Sequence, residues 1–162
     1  MTMLHDIITK CEEETVRQLP HHDVEDLLMG TSRLMSAYSS AILEKMERPE
    51  GSMPTLADLA FWAVVIEPST KGRIRQTPVT FNTGGSALAP DSILRAMTHL
   101  QEWLVSLQED DYLVGEDKHA LVHRFLEIHP FSDANGRVAF ILLNWLNDSL
   151  VCPVNLSEYQ FV

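Results

Sequence analysis

The sequence predicts an all-α fold, a compact bundle of about six helices with one small β-hairpin, on three observations. Apolar residues recur three and four positions apart through most of the chain, the mark of helices with one buried face. Between Val138 and Leu146, Val138, Ile141, Leu142, Trp145 and Leu146 keep that spacing while Phe140 and Leu143 fill the rest of the circumference, so this helix belongs inside the bundle. Only Gly72 to Leu88 loses the period. There Gln76 to Phe81 mixes Val, Thr and Phe before the turn Asn82-Thr83-Gly84-Gly85, and Ser86 to Leu88 returns. With 162 residues and 45% hydrophobic content, one domain with a single core, 1–162, is expected.

In chain order, Leu4, Ile7, Ile8 and Cys11 mark a short first helix ending in the solvated block Glu12-Glu13-Glu14. Pro20, His21 and His22 form a loop, and adjacent histidines point in different directions on any regular element, which argues against a metal site. Asp23 caps a long helix to Met46 whose apolar positions are Val24, Leu27, Leu28, Met35, Tyr38, Ile42 and Met46. Arg48 to Pro54 is a loop. Thr55-x-x-Asp58 reads as a capping box opening an apolar helix through Ile66, stopped by Pro68, with Phe61 and Trp62 in the core. Pro90-Asp91 opens a helix buried along Ile93, Met97, Leu100, Leu104 and Leu107, and an acidic loop follows from Gln108 to Asp117. Lys118 to Ile128 is helical until Pro130 discourages continuation. His119 and His123 lie four apart on it, but without a third ligand nearby their expected roles are packing and hydrogen bonding.

The chemistry concentrates in His129-Pro130-Phe131-Ser132-Asp133-Ala134-Asn135-Gly136-Arg137, a turn feeding the start of a buried helix. Such a helix start points unpaired N–H groups outward, and with the helix dipole these attract anions, phosphate above all. Gly136 lets a ligand approach, Asn135 adds a donor and Arg137 neutralises charge. Asp133 is a hard oxygen ligand suited to Mg2+, and His129 titrates near neutrality and can take a proton from a hydroxyl. Phe131 anchors the turn in the core. The spacing alone leaves open a plain turn with a cap at Asp133 or Asn135 and a hydrogen-bonded core histidine.

The stretch resembles the signature of the Fic family, His-Pro-Phe-x-(Asp/Glu)-Gly-Asn-Gly-Arg-x-x-Arg; Gly72-Arg73-Ile74-Arg75, Pro78-Val79 and Ala89-Pro90 are similar to the segment leading into and out of the family's flap hairpin, and His123-Arg124-Phe125-x-x-Ile128 to its lead-in to the motif. The resemblance implies a Fic-type helical bundle with a β-hairpin flap, a motif-bearing core at about 55–150. It further implies a protein adenylyltransferase that moves AMP from ATP, with Mg2+, onto a Ser, Thr or Tyr hydroxyl of a target docked along residues 76–88. His129 would be the base and Asp133 the metal ligand, with Ala134, Asn135, Gly136 and Arg137 gripping the phosphates. Two positions depart from the pattern. Ala134 replaces the first Gly and Phe140 the second Arg, as in the related death-on-curing branch, which transfers a phosphoryl group. That enzyme, and a nucleotide-binding module without catalysis, are the alternatives. Phosphocholine donors occur in divergent members. Ser40-x-x-x-Glu44 loosely matches the family's inhibitory helix, but with Phe140 in place of the Arg that Glu would pair with, an ordinary exposed Glu is expected. Lys71, Arg73 and Arg75 either steer ATP or an acidic target toward the site or form a solvated face.

A net charge of -11 disfavours nucleic acid as a partner. Cys11 and Cys152 imply no disulfide framework. The acidic start lacks a secretory pattern and the apolar stretches are too short to span a bilayer, so a cytoplasmic protein is expected, with delivery to another cell as a toxin left open. The target, any antitoxin and the oligomeric state are not specified by the chain.

Overall fold

The computed structural model describes residues 2–19, 22–81, 84–109 and 115–159. The fold is all-α: α1 (Thr2–Gln18), α2 (Val24–Glu47), α3 (Leu56–Ile66), α4 (Pro90–Glu109), α5 (Gly115–Ile128) and α6 (Asn135–Leu146), with 3-10 turns at Pro68–Thr70 and Leu156–Tyr159. Local rules place the boundaries. Asp23 accepts from the Asp26 N–H at 2.8 Å, Thr55 and Asp58 close a reciprocal capping box, and α3 stops at Pro68. Pro20, His21, the turn residues Asn82 and Thr83, and residues 110–114 of the acidic loop lie outside the described residues.

Every residue of α6 except Gly136 is buried, and α1, α2, α3 and α5 all pack on it. Phe125 and Phe131 meet at 6.5 Å and fix the turn before α6 to α5, as Phe131 was expected to do. Along α2, Tyr38 packs on Phe140 at 5.4 Å and Lys45 Nζ donates to the Trp145 carbonyl at 3.0 Å, so α2 and α6 run side by side in the same direction.

Four expectations need correction. No strand forms among the described residues: residues 76–88 carry one antiparallel bridge, Thr80 to Ser86, with the Ala87 N–H on Val79 O and the Phe81 N–H on Gly85 O. Toward its ends the segment bonds elsewhere: Thr77 O and Leu88 O accept from Arg75, and the Leu88 N–H donates to Glu127 O at 3.3 Å. Phe61 is half exposed, and Val24, Leu28 and Met46 are exposed, because α2 buries its small-residue face of Gly30, Leu34, Ala37, Tyr38 and Ala41. Gly30 allows α1 and α2 close approach, since a Cβ there would sit 3.1 Å from Thr15 Cγ2. The glutamate block at the end of α1 is not wholly solvated: Glu14 is fully buried, accepting from the Leu156 N–H at 2.8 Å, from Gln18 Nε2 at 2.8 Å and from Arg17.

Candidate functional site

Helix α5 ends by a left-handed residue, as many helices do, but the residue is His129 at φ 51 rather than glycine. Its N–H still closes on Phe125 O at 2.9 Å, while Pro130 prevents another turn. The conformation is held by Arg75, which is 4% exposed and donates through Nε to His129 O at 2.6 Å and through Nη2 to Ile128 O at 3.1 Å. The same guanidinium reaches Thr77 O at 2.8 Å and Leu88 O at 2.5 Å, on the two arms of the 76–88 loop, and the Arg75 N–H donates to Pro130 O at 2.8 Å. Arg75 therefore does not steer ligands at the surface: it clamps the flap loop to the turn. Periodicity cannot show this, because the partners are main-chain carbonyls more than 50 residues away.

The His129 ring sits under that loop, edge to face with Phe81 at 5.4 Å. Its Nδ1 is buried without a hydrogen bond. Burial first, and the Arg75 charge second, hold its pKa below the ordinary 6.5, against weaker opposing effects of the Leu126 main chain and Asp133. At neutral pH the imidazole is uncharged and can accept a proton.

The turn then folds on itself. Asn135 Oδ1 accepts from the Phe131 N–H at 2.9 Å and its Nδ2 donates to Phe131 O at 2.8 Å, so this side chain shapes the turn instead of reaching outward as a free donor. Ala134 takes φ 72, and its N–H donates to Asp133 Oδ1 at 2.7 Å, so it supplies curvature and no free donor. It offers α6 no side-chain cap. Among the described residues, no hydrogen bond uses the N–H groups of Asn135, Gly136 or Arg137, which form the first turn of α6. Arg137 is 2% exposed. One Nη2 lies 3.2 Å from Asp133 Oδ1, while its Nε is buried and unpaired. Burial pulls its pKa down, opposed by Asp133 and Glu67, while Arg33 adds to the fall. Asp133 is half exposed, and its second oxygen makes no bond among the described residues.

The start of α6 thus gathers three N–H groups without partners, the positive end of the helix dipole and the buried, unpaired Nε of Arg137, an arrangement whose chemistry suits an anion. Residues 55–147, more than half of the chain, match the family model described as Fic/DOC family. The chain belongs to the Fic/DOC family. Its sequence is 36% identical over 78 residues to a protein adenylyltransferase Fic of Nematostella vectensis, covering 48% of this chain and 18% of that one. With the protein of the same name from Aedes aegypti it shares 32% over 83 residues, covering 50% and 16%. The match therefore spans less than a fifth of either curated relative. Among solved structures, a Fic domain containing signaling protein of Bacteroides thetaiotaomicron superposes with TM-score 0.64 at 21% identity, over 83% of this chain and 55% of the other. BepC of Bartonella tribocorum, solved with AMPPNP, gives TM-score 0.53 at 16% identity over 83% and 74%.

Within this Fic/DOC domain the remaining sequence candidates fall away from the turn. Glu44 is half exposed and paired with Arg48 at 3.0 Å, near the other end of α6. His123 pairs with Glu127 at 2.7 Å, and no group of metal-ligating side chains is found among the described residues. No helix among them is long and apolar enough to cross a membrane. Phe140, in place of the second Arg, is fully buried against Tyr38. A feature that sequence reasoning missed is Gln18, at the end of α1, whose Oε1 would lie 2.3 Å from a Cβ on Gly136. The Gln18 side chain thus occupies the space that a Cβ at residue 136 would take, and no local pattern in residues 1–19 signals this approach.

Proposed function

We propose that this Fic/DOC domain is a protein adenylyltransferase, moving AMP from ATP onto a hydroxyl of a target protein. The observation that carries the reading is the buried, unpaired Nε of Arg137 beside three unspent N–H groups at the start of α6. Donors left open at a helix start suit a bound anion, which would complete them. The names of the curated relatives, and the AMPPNP bound by BepC, agree with a nucleotide there.

In the proposed reaction the triphosphate lies along the first turn of α6, with Arg137 offsetting its charge. The target segment lies against residues 76–88, which Arg75 holds over His129. His129 takes the hydroxyl proton, the oxygen forms a bond to the α-phosphorus, and the bond from that phosphorus to the β-phosphate bridging oxygen breaks, releasing pyrophosphate. Asp133 fits a Mg2+ ligand, because one of its oxygens is uncommitted and half exposed, and Mg2+ is commonly held by one or two carboxylates plus substrate phosphates. When bound there, Mg2+ would supply charge compensation on the phosphates. The buried Phe140 favours one second reading, phosphoryl transfer in the manner of the death-on-curing branch.

Incubation of the chain with candidate targets and Mg2+, using ATP labelled at either the α- or the γ-phosphate, separates the two. Label from the α position, lost in His129→Ala with ATP binding retained, is the expected result. Label from the γ position would replace the first reading by the second. ATP uptake with no adduct on any target would point to a binding module.

A further inference from the structure

On α6 the proposed phosphate site has one cation. Arg137 occupies it, while Phe140, almost one turn on, faces Tyr38 and brings no charge. A single guanidinium is a sparse partner for a triphosphate, whose distal phosphates carry most of its charge. The neighbouring helix fills this place. Tyr38 meets Phe140 and Lys45 meets Trp145, so α2 and α6 advance together at the common rise of about 1.5 Å per residue. Arg33 stands five residues before Tyr38, and Asn135 stands five before Phe140, so Arg33 is level with the first turn of α6.

Arg33 also faces inward. Gly30 and Ala37, three before it and four after it, are both buried, which puts Arg33 on the packed side of α2. Gly30 faces Thr15 of α1 and Leu19 just past its end, and Gln18 between them lies against Gly136, so the three helices converge at this spot. The Arg33 charge is felt by Arg137. The nearby carboxylates are otherwise engaged: Asp133 holds Arg137, and Glu67 accepts from the Ser69 N–H at 3.3 Å and hydroxyl at 2.9 Å. Arg33 itself enters no hydrogen bond or ion pair among the described residues. Asp133 and Glu67 offset the Arg137 charge, Arg33 has no such partner among the described residues, and a polyanion that both guanidinium groups can reach would relieve their mutual repulsion.

We propose that Arg33 is the second phosphate cation of this site, reaching from α2 to the distal phosphates of a nucleoside triphosphate seated on the first turn of α6. The assignment rests on the nucleotide-binding reading of the turn. It makes α2 part of the site and explains how Phe140 can be spent on the core without loss of the second charge.

The test is equilibrium titration of the chain and of Arg33→Met and Arg33→Lys with ATP, inorganic tripolyphosphate and AMP, in the presence of Mg2+. Arg33→Met should weaken ATP and tripolyphosphate by about tenfold or more while AMP changes by less than about twofold, and Arg33→Lys should recover part of the loss. Unchanged melting temperatures should accompany these shifts. ATP binding in Arg33→Met equal to that of the parent chain would overturn the assignment while leaving the nucleotide reading intact. So would an equal loss for AMP, the sign of a residue that only supports the fold. A parent chain that takes up neither ATP nor tripolyphosphate would overturn both.

Discussion

The two ends of α6 use their polar groups in opposite ways. At its C-terminal end almost every polar group is committed. Asn144 is fully buried and bonds four ways: its Nδ2 to Phe140 O at 2.8 Å and Val154 O at 3.0 Å, its Oδ1 to the Ser149 hydroxyl at 2.7 Å and the Val154 N–H at 2.8 Å. Trp145 Nε1 donates to Ser52 O at 2.9 Å, and Arg48, itself held by Asp58 at 2.7 Å, stacks over the same indole at 5.5 Å. At the N-terminal end α6 has no side-chain cap, Ala134 and His129 take left-handed backbone, and Arg137 and His129 each keep a buried nitrogen without a partner. One end is built for stability. The other accepts strain and open donors, which a ligand rather than the fold can satisfy.

The largest effect should come from breaking the saturated end. Asn144→Ala leaves the Phe140 and Val154 carbonyls, the Ser149 hydroxyl and the Val154 N–H without that partner inside the core, and should cost about 3 kcal/mol. Chemical denaturation checks this. The remaining folded fraction should bind ATP with unchanged affinity, because nothing at the opposite mouth has moved; a matching loss of affinity per folded molecule would show that the two ends are coupled.

The next effect concerns charge at the open end. The native pKa of His129 lies below its ordinary 6.5, so between the two values the unfolded chain binds more protons than the folded one. Stability therefore rises with pH through that window and levels off above 6.5, where both states are neutral. His129→Gln removes this dependence. The melting temperature of the parent relative to that variant should climb as pH is raised toward 6.5. A difference that fell over the same range would mean that the imidazole is stabilised in its charged form, against the lowered pKa expected from its burial.

How much of this asymmetry is legible in the sequence follows from how far each contact reaches. Capping at Asp23 and Thr55, the stop at Pro68 and the all-round burial of α6 depend on residues within a few positions, and periodicity shows them. The turn itself can be read for the same reason. The loop at 76–88 cannot, because Val and Thr alternation suggests strands whereas the Arg75 guanidinium donates both to carbonyls on the two arms and to those of residues 128 and 129. Burial of Glu14, the approach of Gln18 to Gly136 and the level of Arg33 beside α6 all depend on where α1 and α2 come to rest. Chain order does not encode that placement locally.

The smallest effect sharpens the comparison at one residue. Ala134 holds φ 72, where a Cβ crowds the backbone, and glycine is the residue that the family pattern places there. Ala134→Gly removes that strain but adds freedom to the unfolded chain, so the net gain should be no more than about 1 kcal/mol. The side chain is buried, so a loss of stability instead would mean that packing of this one methyl outweighs the strain. If the variant is more stable and ATP binds no more weakly, the backbone at residue 134 serves only to aim the first turn of α6. If stability rises while binding falls, the strained alanine itself is part of what keeps the first turn of α6 open.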